Sequence, residues 1–392
     1  MSRFLFVVPP LTGHVNPTIP VGQELAGRGH DVAWTGPRQI VEELLPPDAA
    51  FLPVGLPDDF AAKLSVAPPE LRGLTALKHL IGEFLVPLAH GMLPGVRDAV
   101  AEFKPDALLV DQQAMAGLAV AEANGLPWAT SATTSATVYD QMELMPKVQE
   151  WADGLQRGFL RSAGLDEATA ATIDLRFSSQ LVLVFSTKAF VGDDEFPDHY
   201  AFVGPSITAR PDDTPFDWAW MDAAVEADQP VVLVSLGTLN WPNGGRFFTV
   251  AAEALADMAV RAIVIAPPEL VEHAPPNVLV TPRVPQLALM PHLDAVVSHG
   301  GHNTVCETLA HGVPLVVAPI RDDQPAIADQ VVRAGAGVRV AFRRVKADEL
   351  RGAIDTALSD GGLRAGAARV QASFAAAGGP REAADHLERL AA

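Results

Sequence analysis

The feature that most narrows the possible folds is a series of short, unbroken apolar runs, each followed by a longer stretch with helical spacing. Phe4–Val8, Asp31–Trp34, Ala107–Val110, Trp128–Thr130 and Leu181–Phe185 form this series in the first half. Val231–Ser235, Ala262–Ile265, Val278–Val280, Ala295–Ser298 and Leu315–Ala318 form it in the second. A strand with one wet face alternates apolar and polar residues, whereas a run without alternation is covered on both faces. Runs of that kind separated by helices point to βαβ units and parallel sheets. The expected class is α/β.

A chain of 392 residues exceeds one ordinary domain and suits two. The polar, proline-rich stretch from Gly204-Pro205-Ser206 to Arg210-Pro211-Asp212-Asp213-Thr214-Pro215 is the natural linker. We therefore expect one domain over 1–207 with its linker reaching about 217, a second over 218–375, and a helix over 376–392. Gly378-Gly379 would reverse the chain before that helix, and Pro380 suits its first turn.

Composition limits the function. Hydrophobic residues at 49% and charged residues at 19% supply a large core and exclude wholesale disorder. The formal net charge of -19 opposes binding to nucleic acid or to anionic membranes. A single cysteine, Cys306, rules out a disulfide framework and a thiolate metal cluster. The apolar start Phe4–Val8 stops at Pro9-Pro10 without a small-residue cleavage site, and no run reaches the roughly 18 residues of a membrane span. The expectation is a cytoplasmic protein, monomer or homodimer, with no membrane span and no nucleic-acid partner.

Open parallel sheets bind ligands at the carboxyl ends of their strands, so the loops there carry the most information. The richest segment runs from Arg283 to Gln324. In it, Ala295–Ser298 leads into His299-Gly300-Gly301-His302-Asn303-Thr304, and a helix follows with Val305 and Leu309 on one face. Glycines let backbone approach a phosphate closely, and a helix N-terminus offers free N–H groups and about half a positive charge. Such a loop could hold a diphosphate in an acidic chain without lysine, and the segment has none. Plainer interpretations exist residue by residue. Thr304 and Glu307 fit a capping box. Asp322-Asp323 fits a solvated turn, and Cys306 fits a small packed residue. His299, His302 and His311 lack the carboxylate or cysteine that would complete a metal site, so no metal is expected.

Taken in order, Pro285-Gln286, His299-x-Gly301-x-Asn303-Thr304, Glu307, Gly312-Val313-Pro314 and Asp323-Gln324 resemble the nucleotide-sugar signature of GT-B glycosyltransferases. That family includes plant secondary-metabolite glucosyltransferases and bacterial macrolide and antibiotic glycosyltransferases. The resemblance implies two Rossmann-like domains whose parallel sheets face across a cleft, with the last helix crossing back to the N-terminal domain. It also implies an acceptor-binding N-terminal domain and a donor-binding C-terminal one. Position by position, Pro285-Gln286 would lie against the base, and His299, Asn303 and Thr304 would hold the diphosphate, with Arg283, Val284, Gly301 and His302 as further donor-binding candidates. Glu307 would accept from the ribose, and Asp323 and Gln324 would hold sugar hydroxyls. Ser235, Gly237 and Thr238 resemble the family's second phosphate contact. Where plant members stack a tryptophan on uracil, this chain has Arg283, so both UDP-glucose and a dTDP-deoxysugar remain possible donors. The nucleotide-diphosphate sugar would be a co-substrate, with no resident cofactor.

The loop after the first strand, Leu11-Thr12-Gly13-His14-Val15-Asn16-Pro17, has one glycine and is not a dinucleotide fingerprint. Asn16 or Thr18 could cap the helix that follows, and Gly29 stops it. His14 stands where a general base is needed, since histidine titrates near pH 6.5. Asp111, at the end of Ala107–Val110, can lie beside it in the same sheet and fix its tautomer. The resemblance makes His14 the base of an inverting, metal-independent transfer and Asp111 its partner. Phe60, Phe84, Met115, Met142, Met145 and Trp151 are candidates to line an acceptor site for an apolar natural product. Two other classes stay open, a nucleotide-sugar 2-epimerase of the same architecture and a non-catalytic nucleotide-sugar-binding helper.

Overall fold

The computed structural model describes residues 1–56, 73–139, 145–192, 194–207, 214–237 and 244–392. The chain divides into two compact units. The first comprises Met1–Thr187, Asp194–Ile207 and Ala377–Ala392, and the second Lys188–Asp193 and Thr208–Ala376.

In the first unit, β1 (Arg3–Val7), β2 (Asp31–Pro37), β3 (Ala50–Val54), β4 (Ala107–Asp111), β5 (Trp128–Ala132), β6 (Leu181–Val184) and β7 (Tyr200–Phe202) form one sheet in the order β3-β2-β1-β4-β5-β6-β7. Every adjacent pair among these described strands is parallel. Both faces are covered. Leu5, Val7, Leu108 and Val110 enter one apolar cluster with Leu88, Met92 and Val96 of the helix Val86–Phe103. Phe4, Phe6, Val8 and Leu109 enter another with Val21 and Leu25 of the helix Thr18–Gly27. Successive strand residues point to opposite faces, which is why these runs carry no polar alternation.

The second unit repeats the plan with β8 (Val231–Ser235), β9 (Arg261–Ile265), β10 (Val278–Thr281), β11 (Ala295–Ser298), β12 (Leu315–Val317) and β13 (Gly337–Arg339), ordered β10-β9-β8-β11-β12-β13 and parallel throughout. Each sheet reverses its strand order once, at β1/β4 and at β8/β11. Those are the switch points at which open α/β sheets bind ligands.

Three strands were not expected from the apolar runs, namely β3, β7 and β13. All lie at sheet edges. β3 contains Pro53 and is largely half-exposed, while β7 and β13 have three residues each. An edge strand loses both the second covered flank and the length that make an inner strand readable. The stretch expected as one domain over 1–207 is interrupted. Lys188–Asp193 packs with the second unit, where the Phe190 ring stands edge-on to Phe374 at 6.2 Å and the Val191 carbonyl accepts from Arg333. The helix Thr18–Gly27 has no side-chain cap from Asn16 or Thr18. The Thr18 hydroxyl donates instead to the Val15 carbonyl at 2.7 Å, at the end of a short turn of helix over Thr12–Val15, and accepts from the Trp34 indole at 2.9 Å. No helix among the described residues is long and apolar enough to cross a membrane.

The closing helix, Pro380–Leu390, buries Ala383, Ala384 and Leu387 among the Phe4 and Phe6 cluster of the first unit. It follows Gly378 (φ +90) and Gly379 (φ +58), whose left-handed backbone makes the reversal. Arg28 clamps it. The guanidinium donates to Asp385 and to Glu388 at 2.8 Å, and also to Glu24 at 2.8 Å. The Glu388 carboxylate also meets His30 Nε2 at 2.8 Å. Hydrogen bonds from Arg28 hold Asp385 below the usual carboxylate range, and bonds from His30 and then Arg28 do the same for Glu388. Carboxylates lowered in the folded state stabilise it above their ordinary range, and that stability is lost as pH falls through the lowered values. Arg28→Ala is expected to cost about 1 kcal/mol, discounted for partly exposed partners, and to speed amide exchange in Pro380–Leu390 first. The difference from wild type should shrink in 1 M salt and below about pH 4, as urea melts at both conditions would show.

Candidate active site

At the β1/β4 switch point, the register pairs Val7 with Val110, so the loop after β1 emerges beside Asp111. His14 sits in the turn of helix Thr12–Val15, and Nδ1 lies 2.9 Å from each oxygen of the Asp111 carboxylate. The aspartate side chain has no exposure, and the imidazole has 15%. Asp111 also accepts from the Gln113 backbone N–H at 2.8 Å. A carboxylate held in place by donors can orient an imidazole and stabilise its charged form. With the Nδ1 proton donated to Asp111, the neutral ring carries its lone pair on Nε2, the atom a base must use.

A third group, Thr133, joins this pair. Its hydroxyl is 2.8 Å from His14 Nδ1 and 3.2 Å from Asp111 Oδ2. The sequence carried a signal for it in the hydroxyl-rich run Ser131 to Thr137, at the carboxyl end of β5. Next to β4, Asp111 pairs with Ser131, and two residues on puts Thr133 on the same side as Asp111's partner.

At the β8/β11 switch point, the two strands end at Ser235 and Ser298, which pair with each other. Each serine hydroxyl accepts from the backbone N–H two residues later, Gly237 at 3.3 Å and Gly300 at 3.1 Å, where φ is +69 and +86. These turns steer both loops toward His299. The imidazole is slotted between two glycines. A Cβ on Gly237 would come within 2.7 Å of the ring, and one on Gly301 within 2.5 Å. Burial pushes the His299 pKa down to about 4, and the positive charge of Arg321 adds to this against a backbone bond to Ser235. The ring is therefore neutral at pH 7. Its Nδ1 is buried with no hydrogen-bond partner, a group that ordinarily finds one.

The helix His302–Ala310 starts directly after this loop, with Gly301 at its N-cap and no side-chain cap. Thr304 is inside the helix, so the capping box does not form. Glu307 is buried and accepts from Gln286 Nε2 at 2.6 Å instead, which joins two of the expected donor-site residues. Gln324 is buried, and its carbonyl oxygen accepts the backbone N–H groups of Ile320 at 2.9 Å and Arg321 at 3.1 Å. Asp323 caps the helix Gln324–Arg333 through its backbone. Val284 is buried and Arg283 exposed. His302 is buried against the Cys306 sulfur, 3.4 Å from Nε2. Arg321, whose charge reaches His299, is a cation within the same segment. Thr238 lies outside the described residues. Among the described residues no three His, Cys, Asp or Glu side chains gather as a metal site.

The proposed acceptor residues separate. Met115 belongs to the first unit's core and Phe84 packs against it. Met145 is 36% exposed. Trp151 lies over Gly82 in the π-helix Leu80–Leu85, with Lys78 Nζ 5.7 Å from its ring centroid. Phe60 and Met142 are outside the described residues.

Comparison with known proteins agrees with this architecture. Residues 251–390 match the family model described as the C-terminal domain of erythromycin biosynthesis protein CIII-like proteins. The 4'-demethylrebeccamycin synthase of Lentzea aerocolonigenes is 31% identical, covering 99% of this chain and 99% of its own. The crystal structure of the kitacinnamycin glycosyltransferase superposes with a TM-score of 0.79 at 26% identity, over 100% of this chain and 99% of its own. That of the glycosyltransferase VinC in complex with dTDP superposes at 0.76 and 22% identity, over 99% of each chain.

Proposed function

The chain belongs to the GT-B glycosyltransferase family of 4'-demethylrebeccamycin synthase, and from that premise we propose that it moves a sugar from a nucleoside-diphosphate donor to a hydroxyl of an apolar natural product, with inversion. The observation that carries this proposal is the His14–Asp111 pair at the β1/β4 switch point. His14 Nε2 takes the acceptor proton as its oxygen attacks the anomeric carbon, and Asp111 steadies the imidazolium that forms. The bond to the nucleoside diphosphate breaks on the opposite side, which inverts the configuration. The leaving diphosphate is met by the His299 imidazole and the N-terminus of His302–Ala310, a fixed dipole aimed at growing negative charge. The scheme uses no resident cofactor.

Glu307, which accepts from Gln286, would accept from ribose hydroxyls. Since the Gln324 carbonyl is committed to backbone, a sugar hydroxyl would meet its amide NH2, with Asp323 as the neighbouring acceptor. The dTDP in the VinC complex supports a thymidine donor, and Asp323-Gln324 supports UDP-glucose.

Thermal melts with UDP, dTDP, GDP, ADP and NAD in large excess test the donor assignment. A nucleotide at about 100 times its Kd stabilises by roughly 2.7 kcal/mol, a shift of several degrees. Selective stabilisation by UDP or dTDP is expected. A response to NAD alone, or to neither pyrimidine diphosphate, would remove the donor assignment. Sugar consumption that continues with no acceptor present would point to donor-only chemistry instead.

A further inference from the structure

Nδ1 of His14 meets three oxygens, two from Asp111 at 2.9 Å and the Thr133 hydroxyl at 2.8 Å. Thr133 is 3% exposed. A hydroxyl has a single proton to give, and it can go to one of two places. If His14 is the Nε2–H tautomer, Nδ1 is a bare acceptor and takes the Thr133 proton. The ring then faces the Asp111 carboxylate with lone pair against lone pair. If His14 is the Nδ1–H tautomer, its proton goes to the carboxylate and the hydroxyl turns to donate to Oδ2, at 3.2 Å. Only the second arrangement leaves Nε2 able to accept a proton.

The carboxylate is held from both sides in that arrangement. Oδ1 accepts the Gln113 N–H at 2.8 Å, and Oδ2 accepts the Thr133 hydroxyl. Without the hydroxyl, Oδ2 of a fully buried side chain is left with only the Nδ1 proton that it shares with Oδ1, and such a group is costly to leave under-satisfied. The carboxylate can then rotate about its Cβ–Cγ bond and its grip on the Nδ1 proton loosens. We propose that Thr133 is a positioning residue that fixes the Asp111 carboxylate and through it the Nδ1–H tautomer of His14. This role rests on His14 being the base.

The test reads the tautomer directly and needs no substrate. Protein labelled with [15N]histidine is compared as wild type, Thr133→Val, Thr133→Ser and Asp111→Asn in two- and three-bond 15N–1H correlation spectra, with His14 assigned by its loss in His14→Gln. Wild type and Thr133→Ser are expected to show the Nδ1–H form of His14. Thr133→Val is expected to show a mixture of both tautomers, and Asp111→Asn the Nε2–H form. The other histidine signals report that each variant is folded, and Thr133→Ala replaces the valine variant if that one does not fold. An Nδ1–H signal in Thr133→Val identical to wild type would overturn the positioning role, because Asp111 would suffice alone. Failure of the base assignment is separate. It would appear as His14→Ala retaining transfer, and the tautomer result would still stand.

Discussion

His14→Ala is expected to lower glycosyl transfer by about 10²–10⁴-fold, the contribution typical of a positioned general base, while nucleotide-dependent thermal stabilisation stays at the wild-type value. The separation follows from the fold. His14 and Asp111 sit at the switch point of the first sheet, whereas His299, Glu307 and Gln324 belong to the second unit. Removing the proposed base leaves the proposed donor residues untouched. Asp111→Asn should act in the same direction without removing the imidazole. An asparagine side chain can turn its NH2 toward Nδ1 and stabilise the Nε2–H form, which presents a donor where the reaction needs an acceptor. Steady-state rates with UDP- and dTDP-sugars, beside melts of the same variants, check both halves of the prediction. A His14→Ala protein that turns over at the wild-type rate would end the base assignment.

The second large effect is expected at Gly301. A methyl there would come within 2.5 Å of His299 Nε2 and 2.8 Å of Cε1, and a methyl on Gly237 would meet the same ring at 2.7 Å, so the ring lies close to the backbone at both glycines. The imidazole must leave its slot, and the loop that leads into His302–Ala310 must shift with it. Gly301→Ala should therefore lose a charge-assisted hydrogen bond to the diphosphate, worth about 1.5–3 kcal/mol, or roughly 10–150-fold in nucleotide Kd. Calorimetric titration with UDP and dTDP measures it. His14 variants should bind nucleotide as wild type does in the same experiment, so the two substitutions divide transfer from binding. Unchanged affinity in Gly301→Ala would mean that the diphosphate lies elsewhere.

Much of this molecule was legible in the sequence, for a physical reason. Inner strands of a doubly covered sheet must be apolar on both faces, so β1, β4, β8 and β11 stand out as unbroken runs, and the loops that follow them are located at once. Edge strands such as β3 and β13 escape, because exposure and shortness remove that signal. Local capping chemistry was less legible than topology. Thr18 and Thr304 have the right type for helix starts, yet Thr18 is taken by Val15 and Trp34, and the helix holding Thr304 begins earlier, at His302. Spacing alone does not say which partner a hydroxyl finds. Thr133 shows the same limit. A run of serines and threonines after a strand is unremarkable until the register sets one of them beside His14 and Asp111. The acceptor side was the least legible, since Phe, Met and Trp serve a core and a ligand equally well, and Met115 turned out to be core.

The first unit contains Met1 and Ala392, and the second interrupts it in sequence, with junctions at Ile207/Thr208 and Ala376/Ala377 and the excursion Lys188–Asp193 ahead of them. This bears on the making of chimeras that pair one enzyme's acceptor unit with another's donor unit. A single crossover near the middle of the chain would exchange the helix Pro380–Leu390 along with the donor unit. Arg28 and His30 would then face a foreign surface in place of Asp385 and Glu388. A crossover pair at 207/208 and 376/377 keeps that helix with its own partners. It still strands Phe190 opposite a replaced Phe374, so the six residues Lys188–Asp193 must travel too. Recombination along this chain thus requires two separate pieces of sequence, Lys188–Asp193 and Thr208–Ala376, to be exchanged to move the second unit.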